Sequence, residues 1–421
     1  MKHLLVLGGG SAGTMVVAKL RPRLDPEAWR ITVVDRDDDH HYRAGYLFVP
    51  FGTYGRADVV RPRHRFLPDG VDFVEAQVAA IDPEASTVAL ADGRSLAYDQ
   101  LVIATGSRPR PDATPGMLGP EWRTSVHEFY TLEGAEAVRG ALNAFEGGRF
   151  VVHVTEMPIS CPVAPLELAF LADARFRERG IRDRVELVFV TPLDGAFTRP
   201  VASERLGHLL TERGIIVEPD FVVERIDPEA KSLVSFDDRA VPFDLLVTTP
   251  LHMGADFLAG SGLADELNHV EVDPGTLRSR RHANVFALGD AADLPTSKAG
   301  ATAHYAADVF VENFAAHVEG RPLPHAFDGH SNCFVVTEPG RAVLLDFDYE
   351  HEPLPGHYPV PGVGPFTLLE ESAMNYDGKM LFRWAYWNVL LRGHDLPFPT
   401  PYTSAGKRAD ERAGAQPEVA R

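Results

Sequence analysis

Only two of the chain's 421 residues are cysteines, Cys161 and Cys333. Cys161 closes the turn Thr155 to Pro162, which lies between an apolar strand-like run and the helical stretch Leu166-Glu167-Leu168-Ala169. A thiol there is expected at a helix N-terminus, with Pro162 in the first helical position. The dipole and free N–H groups favour the thiolate, so the expected chemistry is nucleophilic. A second signal lies at the N-terminus, where Gly8, Gly10 and Gly13 enclose Ser11 and Ala12 in a G-x-G-x-x-G spacing. Gly8 permits a tight turn, Gly10 lets backbone approach a pyrophosphate, and Gly13 allows close helix–strand packing. Asp35 ends the next strand-like run about 20 residues on, where a carboxylate accepts both ribose hydroxyls. These residues together predict dinucleotide binding.

The elements that position these groups are buried parallel strands. His3 to Leu7 feeds the first glycine turn, and Arg30 to Val34 leads to Asp35. Tyr98 to Ser107 is a strand ending in Ala104-Thr105-Gly106, and Asn284 to Leu288 ends in Gly289-Asp290 at a helix start. A further strand, Arg149 to Val154, stands where a second dinucleotide unit would begin, yet no glycine occurs between Gly148 and Gly180. Its following strand, Val185 to Val190, ends in Thr191-Pro192 and not in an acid. Backbone without glycine cannot close on a pyrophosphate, and no carboxylate awaits the ribose. A vestigial nicotinamide site is expected, which argues against NADH dehydrogenase and nicotinamide-linked disulfide reductase activity.

Composition narrows the classes further. Lys plus Arg is 41 against 60 Asp plus Glu, a formal charge of −19, which leaves no electrostatic footprint for nucleic acid. Two cysteines exclude a disulfide-stapled scaffold and any zinc site built on three or four thiolates, and no metal is expected. The apolar run Leu4 to Leu7 is too short for a signal-peptide core, so a cytoplasmic location is expected. No run reaches the length of a membrane span. The expected fold class is α/β, with two Rossmann-like domains and a C-terminal region carrying an amphipathic helix. The expected boundaries are 1–120 with 250–325 for a discontinuous dinucleotide domain and 121–249 for the second Rossmann-like domain. Residues 326–402 form the C-terminal region, and 403–421 a disordered tail.

The three strand ends at Gly8–Gly13, Thr105-Gly106 and Gly289-Asp290 resemble the fingerprints of FAD- and NAD-linked flavoprotein reductases, which implies bound FAD. Val78 falls among the expected cofactor contacts of that resemblance. The match narrows at Cys161-Pro162-Val163-Ala164-Pro165-Leu166-Glu167. This stretch resembles the Cys-Pro-x-Ala-Pro-x-Glu of sulfide:quinone oxidoreductases and of flavocytochrome c sulfide dehydrogenase flavoprotein subunits. Cys333 resembles the second redox cysteine of those families. The resemblance implies a bridge between the two cysteines, attacked by sulfide, with electrons passing through FAD to a membrane quinone. Lys298 matches a lysine near the flavin pyrimidine ring, Glu167 a proton carrier, and Phe334 an aromatic lining the quinone pocket. The stretch Lys379 to Arg392, with its aromatic and basic residues, is expected to lie on the inner face of the plasma membrane. A homo-oligomer is compatible with the same helix. An NADH:quinone oxidoreductase and a cytochrome-linked sulfide dehydrogenase subunit are the alternatives. The family histidine in the loop Thr191 to Phe197 and a third cysteine are missing.

Overall fold

The structure is a computed structural model in which residues 1–360 and 362–396 are described. The expected disordered tail, 403–421, lies outside them. Its first sheet has five parallel strands, in the order Val285–Ala287, Gln100–Ile103, Lys2–Leu7, Trp29–Asp35 and Val71–Glu75. The strands read as continuous apolar runs because both faces are covered, and Leu4 to Leu7 are fully buried. Helices Ser11–Leu20 and Gly300–Val318 pack on each other beside this sheet. A three-stranded antiparallel sheet, Val78–Asp82, Thr87–Leu90 and Ser95–Ala97, is inserted between its outer and inner strands.

The middle of the chain repeats the parallel plan. Its sheet runs Val126–His127, Leu245–Thr249, Gly148–Val154, Val185–Val190 and Ile216–Glu218. The helix after Gly148–Val154 spans Ala164–Glu178 and is buried almost all round. It starts two residues later than the proline rule suggests. Pro162 stays in the preceding turn, closed by Ala164 N–H donating to the Cys161 carbonyl at 2.9 Å, and Pro165 takes the early helical position. Buried Asp173 fixes the helix by accepting from Arg182 at 2.6 Å and from Arg177.

A third, mostly antiparallel sheet follows, with Ser331–Glu338, Arg341–Phe347, Gly364–Leu368 and Gly356–Val360 in that order. The helix Ala164–Glu178 packs against the Ser331–Glu338 strand. The C-terminal helix, Ala373–Asn388, lies on the same sheet, and Ser372 caps it by accepting from Asn375 N–H. Asn375 is fully buried and anchors this helix: its amide donates to the carbonyls of Ala342, Thr367 and Glu370, and its Oδ1 accepts from Thr367 N–H. Truncation leaves several buried backbone groups without partners, each costing about 1–3 kcal/mol. Asn375→Ala is therefore expected to lower unfolding free energy by about 3 kcal/mol in urea titration; an unchanged midpoint would refute the anchoring role.

Candidate functional site

The N-terminal glycine turn has the close packing that its spacing requires. Gly8 has φ +93°, and a Cβ there would stand 2.5 Å from the Ala104 carbonyl oxygen. A Cβ on Gly13 would stand 1.9 Å from the Gly8 carbonyl, whereas Gly10 faces open space. An open backbone at a helix start is what a pyrophosphate needs. Gly289, at φ +68°, packs on Ala12, so the third fingerprint touches the first. Thr105 lies against Gly8, and its buried hydroxyl has no hydrogen-bond partner among the described residues. Asp35 accepts from Gly9 N–H at 2.8 Å and Arg36 N–H at 2.8 Å and pairs with the buried Arg63 at 2.9 Å. Val78 begins its strand two residues after Ala76, whose N–H donates to the Asp35 carbonyl. The orphaned Thr105 hydroxyl, the open Gly10 backbone and the carboxylates at Asp35 and Asp290 fit a flavin dinucleotide. Ser11 donates to or accepts from the Tyr386 hydroxyl at 2.7 Å, which brings the C-terminal helix to this loop.

The loop that lacks glycine is closed against the flavin side. Ser160 forms a bridge with Lys298, Cys161 N–H donates to the Lys298 carbonyl at 2.7 Å, and the Ser160 hydroxyl donates to the Asp290 carboxylate. Ser107 adds a contact to the same carboxylate oxygen at 3.4 Å. Lys298 is buried, and its ammonium donates to the carbonyls of Asp290 at 3.0 Å and Ala292 at 2.8 Å. Burial pushes its pKa down, opposed by Asp290 and Asp293. The sequence marks Ser160 only by its adjacency to Cys161 and Ser107 only as the end of its strand.

Cys161 and Cys333 are both free thiols in the structure. Cys161 adopts φ +48°, a left-handed conformation, and its carbonyl accepts from Tyr130 at 3.5 Å. Between the cysteine segments lies a buried ion pair. Lys379 donates to both Glu167 oxygens, at 2.9 and 3.2 Å, and to the Phe334 carbonyl at 2.8 Å, while Glu167 also accepts from Val336 N–H at 2.8 Å. Burial raises Glu167; burial opposes the Lys379 cation, but Glu167 and the two sulfurs outweigh it and hold Lys379 above its ordinary pKa. Cys161 keeps part of its surface exposed, yet desolvation pushes its thiol up to about 12, and Cys333 up to about 11. In both, Lys379 pulls down and Glu167 pushes up; Cys333 raises Cys161 further, and Asp346 raises Cys333. The expected helix-start activation of Cys161 is corrected here: the helix begins three residues later, desolvation dominates, and the opposing charge is a lysine.

That lysine also corrects the reading of Lys379 to Arg392 as one basic interfacial patch. Lys379 points inward to Glu167, Arg383 pairs with Asp58 and lies over Tyr54, and Tyr386 and Trp387 are buried. The sequence could not pair Lys379 with Glu167, because 212 residues separate them. Phe334 is half-buried and meets Phe366 edge-on at 5.2 Å; both rings rest on Gly378, where a Cβ would approach to 2.9 and 2.6 Å. No described helix is long and apolar enough to cross a membrane, and the described residues contain no cluster of three metal-ligating side chains.

Known proteins are similar to this chain over most of its length. The chain is 26% identical over 399 residues to mouse mitochondrial sulfide:quinone oxidoreductase, covering 93% of this chain and 87% of that one. It is 29% identical over 397 residues to the Dictyostelium discoideum enzyme of the same name, covering 93% and 86%. The crystal structure of the Aquifex aeolicus sulfide:quinone oxidoreductase superposes with a TM-score of 0.78 at 21% identity, over 94% of this chain and 92% of that chain. Residues 2–308 match the model of the pyridine nucleotide-disulphide oxidoreductase family. With that match over most of its length and both Rossmann-like sheets in place, this flavin-binding oxidoreductase belongs to the pyridine nucleotide-disulphide oxidoreductase family.

Proposed function

We propose that the protein oxidises sulfide, using FAD and a Cys161–Cys333 redox pair, and passes the electrons to a membrane quinone. The observation that carries this reading is the buried Glu167–Lys379 pair set between the two cysteine segments, beside a glycine-less loop held to Asp290 and Lys298. Relatives named for sulfide and quinone support the same reading over 93% of the chain.

The residues would act as follows. Hydrosulfide attacks one sulfur of the Cys161–Cys333 disulfide; a new S–S bond forms, the old one breaks, and a persulfide and a thiolate remain. The Lys379 ammonium neutralises that thiolate in a site where burial otherwise forbids the charge. Glu167 accepts two hydrogen bonds from Lys379, which the Phe334 carbonyl also holds. FAD, held by the backbone of Gly8 to Gly13, Asp35, Thr105-Gly106 and Gly289-Asp290, supplies a two-electron acceptor. Lys298 stiffens the Asp290 turn through its two carbonyl contacts and holds positive charge beside it. Phe334, packed edge-on against Phe366, offers a half-buried aromatic ring against which a quinone ring stacks. Met374, Leu381 and Trp384 lie on one exposed face of the C-terminal helix and dock the enzyme on the membrane that holds the quinone.

Sulfide is expected to bleach the flavin absorbance, and decylubiquinone to restore it, with FAD as the cofactor released on denaturation. Cys161→Ser and Cys333→Ser should each lower sulfide-dependent bleaching at least a hundredfold, on the order of the loss when a covalent catalyst is removed. Bleaching by NADH and not by sulfide would overturn the proposal.

The two charges of the pair act on the thiols with opposite sign. Because the thiols sit well above neutral pH, alkylation of the reduced enzyme by iodoacetamide should rise as pH rises. Lys379→Met removes the cation that lowers both thiols and should shift that profile to higher pH; Glu167→Gln removes the carboxylate that raises them and should shift it lower. Shifts of the same sign in both variants would sink the electrostatic role.

A further inference from the structure

Behind the C-terminal helix, away from the cysteines, is a groove of about 370 Å³ lined by Arg61, Arg65, Phe66, Trp387, Asn388 and Arg392. Trp387 lies eight residues beyond Lys379, about 12 Å along the helix. The rings of Phe66 and Trp387 stack at 5.2 Å and 29°. The Arg61 guanidinium lies over Trp387 at 4.6 Å and that of Arg392 over Phe66 at 5.3 Å. Stacking fixes each guanidinium plane while leaving its N–H edge unused. Among the described residues, none of the three arginines makes an ion pair within 4 Å or a side-chain hydrogen bond; Asp58 acts on Arg61 only at longer range, its close contact being with Arg383. Three cations without a close ion-pair partner around one groove are unusual in a chain of net charge −19 and call for an anion.

The neighbouring surface says which anion. Asn388, in the groove wall, donates to the Trp384 carbonyl at 2.8 Å, one turn back along the helix. Trp384 is 58% exposed and Leu381 61% exposed, so an apolar face begins where the basic groove ends. A ligand filling both is anionic at one end and hydrocarbon at the other. We propose that the groove binds the phosphodiester headgroup of an anionic phospholipid, whose acyl chains run along Trp384 and Leu381. This inference rests on the membrane-docked reading above and adds lipid selectivity to it. Each arginine near an anionic surface contributes a factor of about five in binding, so three contribute about a hundredfold.

The test is co-sedimentation of the full-length holoenzyme with vesicles of phosphatidylcholine alone and of phosphatidylcholine mixed with phosphatidylglycerol. The wild type is expected to prefer the mixed vesicles about a hundredfold at low salt, with the preference fading as salt rises. The variant Arg61→Gln/Arg65→Gln/Arg392→Gln should bind both vesicles alike, at the wild-type level for phosphatidylcholine. Arg65 is exposed and makes no packing contact with a ring, so Arg65→Gln alone, which leaves the fold intact, should cost about fivefold on mixed vesicles only. Leu381→Ser/Trp384→Ser should weaken binding to both vesicles. Equal wild-type binding to the two vesicles, or a preference kept by the triple variant, overturns the proposal. Inorganic phosphate that displaces the protein from mixed vesicles at constant ionic strength makes the groove a soluble-anion site and also overturns it. Sulfide bleaching of the flavin in detergent is measured separately: its failure removes the sulfide reading, whereas loss of vesicle selectivity with bleaching intact removes only the lipid site.

Discussion

The buried ion pair between Glu167 and Lys379 joins three parts of the chain that are remote in sequence. Glu167 comes from the helix after the glycine-less loop, its Val336 partner from the strand that carries Cys333, and Lys379 from the C-terminal helix. Two charges taken out of water cost several kcal/mol each, and their attraction offsets this only with further hydrogen bonds. Those bonds are present: Val336 N–H on the carboxylate and the Phe334 carbonyl on the ammonium. The pair therefore ties helix, sheet and C-terminal helix together, and its two charges act with opposite sign on both sulfurs, where desolvation is the larger effect. Removing one partner leaves an uncompensated buried charge, so fold and thiol chemistry are linked at a single contact.

A second constraint acts at the loop Thr155 to Pro162. In a dinucleotide-binding unit this position leaves an opening for a pyrophosphate; here it is filled by contacts to the first domain. Ser160 reaches the Asp290 carboxylate and Cys161 N–H reaches the Lys298 carbonyl. Lys298 in turn holds the carbonyls of the Asp290 turn. The segment bearing the nucleophile candidate is thereby tied to the segment expected to meet the flavin.

The C-terminal helix divides its work by face. Lys379, Tyr386 and Trp387 turn inward, toward the cysteines, the glycine turn and the aromatic cluster, while Met374, Leu381 and Trp384 face solvent. An amphipathic pattern in sequence reports that two faces exist, but not which residues a core will claim. Lys379 belongs by composition to a basic surface set and by position to the interior, because a buried carboxylate was waiting for it.

Much of the site was legible in the residues. The glycine spacing at Gly8 to Gly13, the strand-end Asp35, and the missing glycines between Gly148 and Gly180 follow from backbone sterics, which act locally and leave a local trace. The resemblance around Cys161 and Cys333 likewise rests on short contiguous motifs. The charge partner of the thiols left no such trace, since Glu167 and Lys379 meet across 212 residues and only folding brings them together. Thiol acidity leaves no trace for the same reason: a helix start is visible in sequence, whereas the desolvation that pushes Cys161 to about 12 depends on everything packed around it. The sequence by itself determined where glycines permit a close backbone turn and where they are missing; the tertiary structure alone decided which charges face the sulfurs, because electrostatics in a low-dielectric interior is set by neighbours in space and not along the chain.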